Sequence, residues 1–206
     1  TIEHHPGLID LLPHCEGEGV TRPFQLHLGF ATADASTTIT MNWMTTAVQR
    51  LTEVRLGLDP NALEQVYQGH SFRFARLDER LIHEVHICGL TPSTTYYYQV
   101  GGGNAWSPTH SFVTAPPPNS DEEFVFGAGG DSRSETYELF ANALRGMRDA
   151  GAEFVVFTGD AVELGQIQRG WDGFFGVAQE AWASLPFLPA NGNHDLLAVN
   201  YLGQFA

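Results

Sequence analysis

The segment Pro116-Pro117-Pro118-Asn119-Ser120 separates two regions that differ in their pattern of apolar residues. Three consecutive prolines cannot donate hydrogen bonds to a sheet, and they favour an extended spacer. In residues 24–114, apolar and polar residues alternate, whereas after the prolines short apolar runs alternate with longer segments of helical period. We therefore expect two domains joined by a linker at residues 116–120.

The first region has the alternation that is typical of half-buried β-strands. In Thr38-Ile39-Thr40-Met41-Asn42-Trp43, the side chains of Ile39, Met41 and Trp43 point to one face of a strand and the polar ones to the other. No long segment of helical period interrupts the pattern, so an all-β sandwich is predicted over residues 22–115. Further strands are predicted at residues 71–77, 83–88, 95–100 and 110–114.

The stretch Leu90-Thr91-Pro92-Ser93-Thr94-Thr95-Tyr96 has the composition of a tyrosine corner. Leu90 is expected in the core, Pro92 in the turn, and the hydroxyl of Tyr96 against the backbone. Together with Trp43, this corner makes the sandwich resemble a fibronectin type III domain. Such a domain is usually structural, and nothing in it suggests chemistry.

Residues 121–206 alternate between apolar runs of strand length and amphipathic segments of helical length. This alternation is typical of a layered α/β fold built on a parallel sheet. The predicted strands lie at residues 124–128, 153–158 and 186–190, and the predicted helices at residues 135–150 and 171–184.

The composition restricts the partners of the protein. Twenty-four acidic residues against ten basic ones give a net charge of −14, and such a field repels a phosphate backbone. We therefore expect no binding to nucleic acid. The longest apolar runs, such as residues 154–157, fall far short of the roughly 20 residues that cross a bilayer, so no membrane span is expected.

Residues 1–21 are predicted to form a solvated N-terminal arm, because the spacing of the histidines and of Cys15 within it matches no tetrahedral metal site. Cys15 and Cys88 form a single disulfide, or Cys88 is an unpaired buried cysteine of an apolar strand; the sequence leaves both open. No secretion signal is visible, but a mature secreted protein has the same appearance. The expected location is secreted or periplasmic.

Three predicted strands end in the same kind of motif: Gly130-Asp131, Gly159-Asp160 and Gly192-Asn193-His194-Asp195. The carboxyl ends of parallel strands meet at one edge of a sheet, so these side chains are expected to lie together. A glycine before each polar residue permits the sharp turn that directs the side chain inward. Oxygen donors suit hard divalent or trivalent cations. The sequence therefore predicts a metal site at this edge.

The series of motifs resembles the metallophosphoesterase superfamily, and the sandwich ahead of it resembles the purple acid phosphatase branch. The resemblance implies two metal ions, of iron, zinc, manganese or magnesium. It implies that Asp131 ligates the first metal, Asp160 bridges both, and Asn193 binds the second through its amide oxygen. His194 is placed beside the leaving group, and Asp195 is expected to orient its imidazole. The implied reaction is hydrolysis of a phosphate ester by a metal-bridged hydroxide.

Two positions depart from the family pattern. Many members have histidine where this chain has Arg133, whose guanidinium fork suits phosphate oxygens; we expect it to hold the substrate, with a surface ion pair to Glu135 or Asp149 as the alternative. Purple acid phosphatases have a metal-binding tyrosine where this chain has Glu163, so the purple colour is not expected. Glu163 is either a further oxygen ligand or an exposed charge at a helix start.

The chain reaches Ala206 before the two further histidine motifs of the family pattern. We therefore expect the first half of a catalytic domain, inactive alone, with an open sheet that the missing C-terminal half or a second copy of the chain covers. The predicted function is a phosphoric-ester hydrolase of the phosphomonoesterase type, with a substrate that the sequence leaves open. The alternatives are a non-catalytic binding or structural module with a remnant phosphoesterase domain, and a complete but inactive scaffold.

Overall fold

The computed structural model of the chain describes residues 22–30, 32–46, 51–73, 79–133 and 137–205. The predicted N-terminal arm lies outside these residues, and so does Cys15. The pairing of Cys15 with Cys88 therefore stays open.

Within the described residues, the first region consists of β-strands, of which some overlap the predicted strands and others had not been predicted individually. The strands are β1 (Phe24–Gly29), β2 (Thr38–Thr45), β3 (Glu53–Gly57), β4 (Gln65–Gln68), β5 (His70–Phe72), β6 (Leu81–Cys88), β7 (Thr95–Gly102), β8 (Ala105–Trp106) and β9 (His110–Val113). The strand predicted at residues 71–77 is described only in part, since residues 74–78 lie outside the described ranges. Cys88 is exposed at the end of β6, so the expectation of a buried cysteine was wrong: its side chain is on the outer side of the strand.

These strands form two antiparallel sheets with a common core. One sheet has the order β1-β2-β6-β5, and the other has the order β4-β3-β7-β8 with β9 also paired to β7. Trp43 and Tyr98 are fully buried in the core between them. The predicted β-sandwich is confirmed, because alternate residues of β2 and β6 in one sheet and of β3 and β7 in the other form a single buried core.

The tyrosine corner has the predicted contacts. The backbone N–H of Thr91 donates to the hydroxyl of Tyr96 at 2.9 Å, and the ring of Tyr96 stacks on Phe112. Leu90 is buried in the same core. The corner therefore ties the turn before β7 to the sheet, as the sequence indicated.

The second region is a three-stranded parallel sheet with helices. Its elements are β10 (Phe126–Gly129), α1 (Glu138–Asp149), β11 (Phe154–Phe157), α2 (Gln168–Trp182), β12 (Phe187–Pro189) and α3 (Val199–Gln204). The strand order is β10-β11-β12, and both pairings are parallel, which confirms the predicted α/β fold. None of the described helices is long and apolar enough to cross a membrane.

One face of the parallel sheet is covered and the other is open. Val155 and Phe157 point to the covered face, where they pack in an aromatic core with residues of α1 and α2 such as Phe140 and Phe174. On the opposite face, Phe126 of β10 is 52% exposed and Leu188 of β12 is 44% exposed. An open apolar face was expected from the sequence, and the element that covers it stays a prediction.

β1 and α2 connect the sandwich to the parallel sheet. The imidazole of His27 stacks on Phe175 with 4.4 Å between ring centroids, and its Nε2 lies 2.7 Å from the backbone oxygen of Gln204. At the other end of α2, the hydroxyl of Tyr98 donates to the backbone oxygen of Ala183 at 2.7 Å. The sandwich thereby holds the helix that follows the second aspartate motif.

A second buried histidine, His83, stabilises the sandwich when its imidazole is neutral. The ring of His83 is stacked on Trp43, and its two nitrogens lie 2.7 Å and 2.8 Å from the hydroxyls of Thr45 and Thr52. Burial lowers the pKa of His83 from 6.5 to about 4. Because the unfolded chain binds this proton more readily, the stability that neutral His83 provides is complete above pH 6.5 and decreases as the pH falls towards 4.

The substitution His83→Gln tests this pH dependence, because glutamine can bond both hydroxyls but does not titrate. Between pH 7 and pH 4, the free energy of unfolding of the wild-type protein should fall by about 3 kcal/mol more than that of the variant. Urea denaturation at both pH values measures the difference. Parallel losses in the two proteins would show that His83 does not titrate on unfolding.

Candidate metal centre

The three motifs lie at the carboxyl ends of the three parallel strands. Asp131 follows β10, Asp160 follows β11, and Asn193 and His194 follow β12. The backbone N–H of Asp131 donates to the carbonyl of Gly159 at 2.9 Å, which joins the first loop to the second. The order β10-β11-β12 therefore places the three loops side by side at one edge of the sheet.

Both aspartates have an unusual backbone conformation. Asp131 has φ of 53° and Asp160 has φ of 56°, in the left-handed region that non-glycine residues rarely occupy. The sharp turns therefore occur at the aspartates themselves and not only at the preceding glycines. Gly192 is required for another reason: a Cβ at this position would lie 2.0 Å from Oδ1 of Asp160. Strain of this kind is concentrated at functional sites.

The carboxylate of Asp195 joins two of the loops from beneath. It is completely buried and accepts four backbone N–H groups, from Asp160 at 2.8 Å, Ala161 at 2.9 Å, Val162 at 3.3 Å and Gly192 at 2.9 Å. The left-handed turn at Asp160 directs these N–H groups to one point, and an anionic acceptor satisfies them. Asp195 is therefore a positioning residue for the second and third loops.

His194 has a different partner from the one that we expected. Its Nδ1 lies 2.9 Å from the backbone oxygen of Glu163, while both oxygens of Asp195 are engaged by backbone N–H groups. The expectation that Asp195 orients the imidazole was wrong, because a carbonyl in the loop after Asp160 has that position. The backbone N–H of His194 donates to Oδ1 of Asp160 at 2.9 Å, so the third loop is fixed to the second.

Arg133 lies at the centre of the site. Its Nε and Nη2 each lie 2.6 Å from Oδ1 of Asp131, and Nη2 lies 3.7 Å from Oδ2 of Asp160. Its Nη1 is hydrogen-bonded to Nε2 of His194. The hydrogen bond to Asp131 raises the pKa of the guanidinium further above its usual value. The alternative ion pair with Asp149 is not formed, since Asp149 pairs with Arg148, and Glu135 lies outside the described residues.

A guanidinium always donates hydrogen bonds, so Nε2 of His194 accepts from Arg133. The proton of the neutral ring is then on Nδ1, which donates to the carbonyl of Glu163. The carboxylate of Glu163 is 3.7 Å from Nδ1, and its side chain is 74% exposed. Asn193 is exposed between Gly192 and His194. The ligand roles of Glu163 and Asn193 stay predictions.

The oxygen donors of the site fit a cation. Nη2 of Arg133 lies 2.6 Å from an oxygen of Asp131 and 3.7 Å from an oxygen of Asp160, so a positive charge is located between the two carboxylates. Within the described residues, no group of three or more His, Cys, Asp and Glu side chains is arranged to hold a metal ion. The reason is visible in the contacts: Asp195 faces the backbone, and the other two aspartates face Arg133.

Removal of the carboxylate of Asp195 should destabilise the protein strongly. In Asp195→Ala, four backbone N–H groups lose their acceptor in a buried position, and we expect the free energy of unfolding to fall by about 3 kcal/mol or more. Urea denaturation measures the loss. The control is Asp149→Ala, which removes an exposed carboxylate and should change stability by less than about 0.5 kcal/mol. Equal effects of the two substitutions would contradict the positioning role.

Comparisons with known proteins found the following similarities. Residues 23–114 match the model of the purple acid phosphatase N-terminal domain family. Human "Acid phosphatase type 7" is 33% identical over 183 residues, which are 84% of this chain and 40% of that protein. "Fe(3+)-Zn(2+) purple acid phosphatase 12" of Arabidopsis thaliana is 26% identical over 140 residues, which are 66% of this chain and 29% of that protein.

A solved structure, that of the purple acid phosphatase PPD1 from seeds of yellow lupin (Lupinus luteus), has a similar fold. It superposes with a TM-score of 0.70 at 17% identity and covers 91% of this chain and 39% of its own. The chain thus spans 40% or less of the length of these relatives. Residues 23–114 thus belong to the purple acid phosphatase N-terminal domain family, and the chain as a whole is similar in sequence to acid and purple acid phosphatases and in fold to PPD1.

Proposed function

We propose that the protein containing this chain is a phosphoric-ester hydrolase of the phosphomonoesterase type that uses a binuclear metal centre. The observation that supports the proposal most directly is the position of Asp131, Asp160 and His194. Three loops at adjacent strand ends bring these side chains onto a single cation, the guanidinium of Arg133. A structural remnant has no physical need for two strained aspartates in such close approach.

In this proposal, Asp131 holds the first metal ion, Asp160 holds both, and Asn193 holds the second. Glu163 is a candidate for a further oxygen ligand, since its exposed carboxylate lies beside His194. The chemistry that two such ions supply is the activation of a water molecule and the neutralisation of phosphoryl oxygens. Iron, zinc, manganese and magnesium all remain candidates, because oxygen and imidazole ligands accept each of them.

His194 is proposed as the group that protonates the leaving oxygen or stabilises its charge. Imidazole suits this role because it gains and loses a proton near neutral pH. In this structure Nε2 accepts a hydrogen bond from Arg133, while the carbonyl of Glu163 holds Nδ1. The contact with Arg133 must therefore open before Nε2 can donate to a substrate.

The names of the relatives support a phosphate ester as substrate, since they are described as acid phosphatases. Arg133 is proposed to bind the phosphoryl oxygens, for which its planar fork is suited.

A secreted or periplasmic location belongs to the same proposal. So does the cover of the open sheet face by further polypeptide, either a C-terminal half or a second copy.

One observation favours the alternative of a non-catalytic module. The guanidinium of Arg133 pairs with Asp131 and lies 3.7 Å from Asp160, and a purely structural arrangement of the loops would use the same contacts. A remnant domain and an enzyme in its metal-free form would share this feature. Metal content and turnover distinguish them.

The test compares two substitutions in the protein that contains this sequence. Asp160→Asn should remove bound metal and hydrolysis of p-nitrophenyl phosphate together. His194→Ala should keep the metal and lower turnover by about 100-fold or more, because it removes only proton transfer. Metal content is measured by inductively coupled plasma mass spectrometry, and turnover by release of p-nitrophenol.

Asp149→Asn is the control, since it changes the same charge on an exposed residue at the far end of α1. It should change neither metal content nor turnover. Equal metal loss in the Asp160 and His194 variants would contradict the assigned roles. A metal-loaded wild-type protein without turnover would favour the non-catalytic module.

A further inference from the structure

Arg133 makes contacts that a substrate-binding arginine does not require. It is only 25% exposed, although its partner Asp131 is 70% exposed. Its Nε and Nη2 both contact the same oxygen of Asp131, and Nη2 also approaches Asp160. Its Nη1 is hydrogen-bonded to His194. All three donor atoms of the fork are thus directed into the site.

The surroundings explain why a cation is needed there. Asp131 and Asp160 bring two negative charges together in a protein whose net charge is −14. Both have left-handed backbone conformations, which persist only when other interactions hold them. A guanidinium is always charged and gives bidentate geometry, so it neutralises both carboxylates in the absence of any other cation.

The same position is the one in which a metal ion would bind. Oxygen ligands lie about 2.0–2.2 Å from a transition metal ion, and Oδ1 of Asp131 already accepts two hydrogen bonds at 2.6 Å. A second cation at the carboxylates would be strongly repelled by the guanidinium. The two cations therefore exclude each other.

We propose that Arg133 is an internal counter-ion that holds the aspartates in the metal-free protein, competes with the first metal ion for them, and is released towards the phosphoryl group when the metal binds. This inference rests on the proposed metal centre. It adds an order of events: the guanidinium leaves Asp131, Asp160 and Nε2 of His194 in one movement. Metal binding thereby frees both the phosphate-binding fork and the nitrogen that the proposed reaction requires.

The first experiment measures metal affinity. In the protein that contains this sequence, Arg133→Gln removes the competing cation and should bind Mn²⁺ about tenfold more tightly than wild type, by isothermal titration calorimetry. Arg133→Lys keeps the charge but loses the fork, so its affinity should lie between the two. The control Arg148→Gln removes a charge near the end of α1, about 15 Å along the helix from its start, and should leave the affinity within about twofold.

The second experiment needs no metal. EDTA is present throughout. Arg133→Gln should lower the melting temperature when residue 131 is aspartate, but it should have no such effect in a protein that also carries Asp131→Asn. This coupling is the signature of a counter-ion. Excess Mn²⁺ should remove the difference between wild type and Arg133→Gln, because the metal then neutralises the aspartates.

Each outcome decides between the proposals. If Mn²⁺ binds and Arg133→Gln is unchanged or weaker, the competition is refuted while the metal centre stands. If no variant binds Mn²⁺ but the coupling in EDTA is found, the proposed metal centre fails, and Arg133 is a permanent structural cation. Absence of coupling refutes the counter-ion role in either case.

Discussion

The acceptance of four backbone N–H groups by the buried carboxylate of Asp195 is the interaction on which the site depends. These N–H groups belong to two loops that are 30 to 32 residues apart in sequence. Three of the four belong to the second loop, which leaves its strand through left-handed turns at Gly159 and Asp160 and not as helix or sheet. Their acceptor therefore comes from the third loop, to which Asp195 belongs. An anionic acceptor compensates several donors at once, and its burial makes the arrangement unique.

Once the loops are joined, the charges of the site follow from their positions. Asp160 makes two hydrogen bonds that fix its position. Its backbone N–H donates to the carboxylate of Asp195, and its own carboxylate accepts from the backbone N–H of His194. Asp131 is joined to the second loop through the carbonyl of Gly159. Two aspartates held at close range by the backbone require a cation, and Arg133 is placed to provide it. The backbone thus fixes the aspartates, and Arg133 is the cation that the proposed metal ion would displace.

Helix α2 transmits this rigidity to the sandwich. Near its start, the indole N–H of Trp171 donates to the carbonyl of Gly165, whose own N–H donates to the carbonyl of His194. After its end, Tyr98 of the sandwich donates to Ala183. The sandwich therefore contributes to the position of the third loop. This connection gives a physical reason for the sandwich to precede the α/β region in one chain.

The sequence alone determined the two regions, most of the strands and the motifs at the strand ends, because hydrophobic periodicity and glycine positions are local properties. It also singled out Arg133, through a departure from the family pattern. Only the tertiary structure decided what Asp195 and Arg133 contact. Asp195 is adjacent to His194 in sequence, yet its carboxylate accepts three N–H groups that lie 33 to 35 residues earlier, because neighbouring strands bring the two loops together. The partner of an ionic side chain depends on which loops become neighbours, and that is settled by the parallel order of β10, β11 and β12.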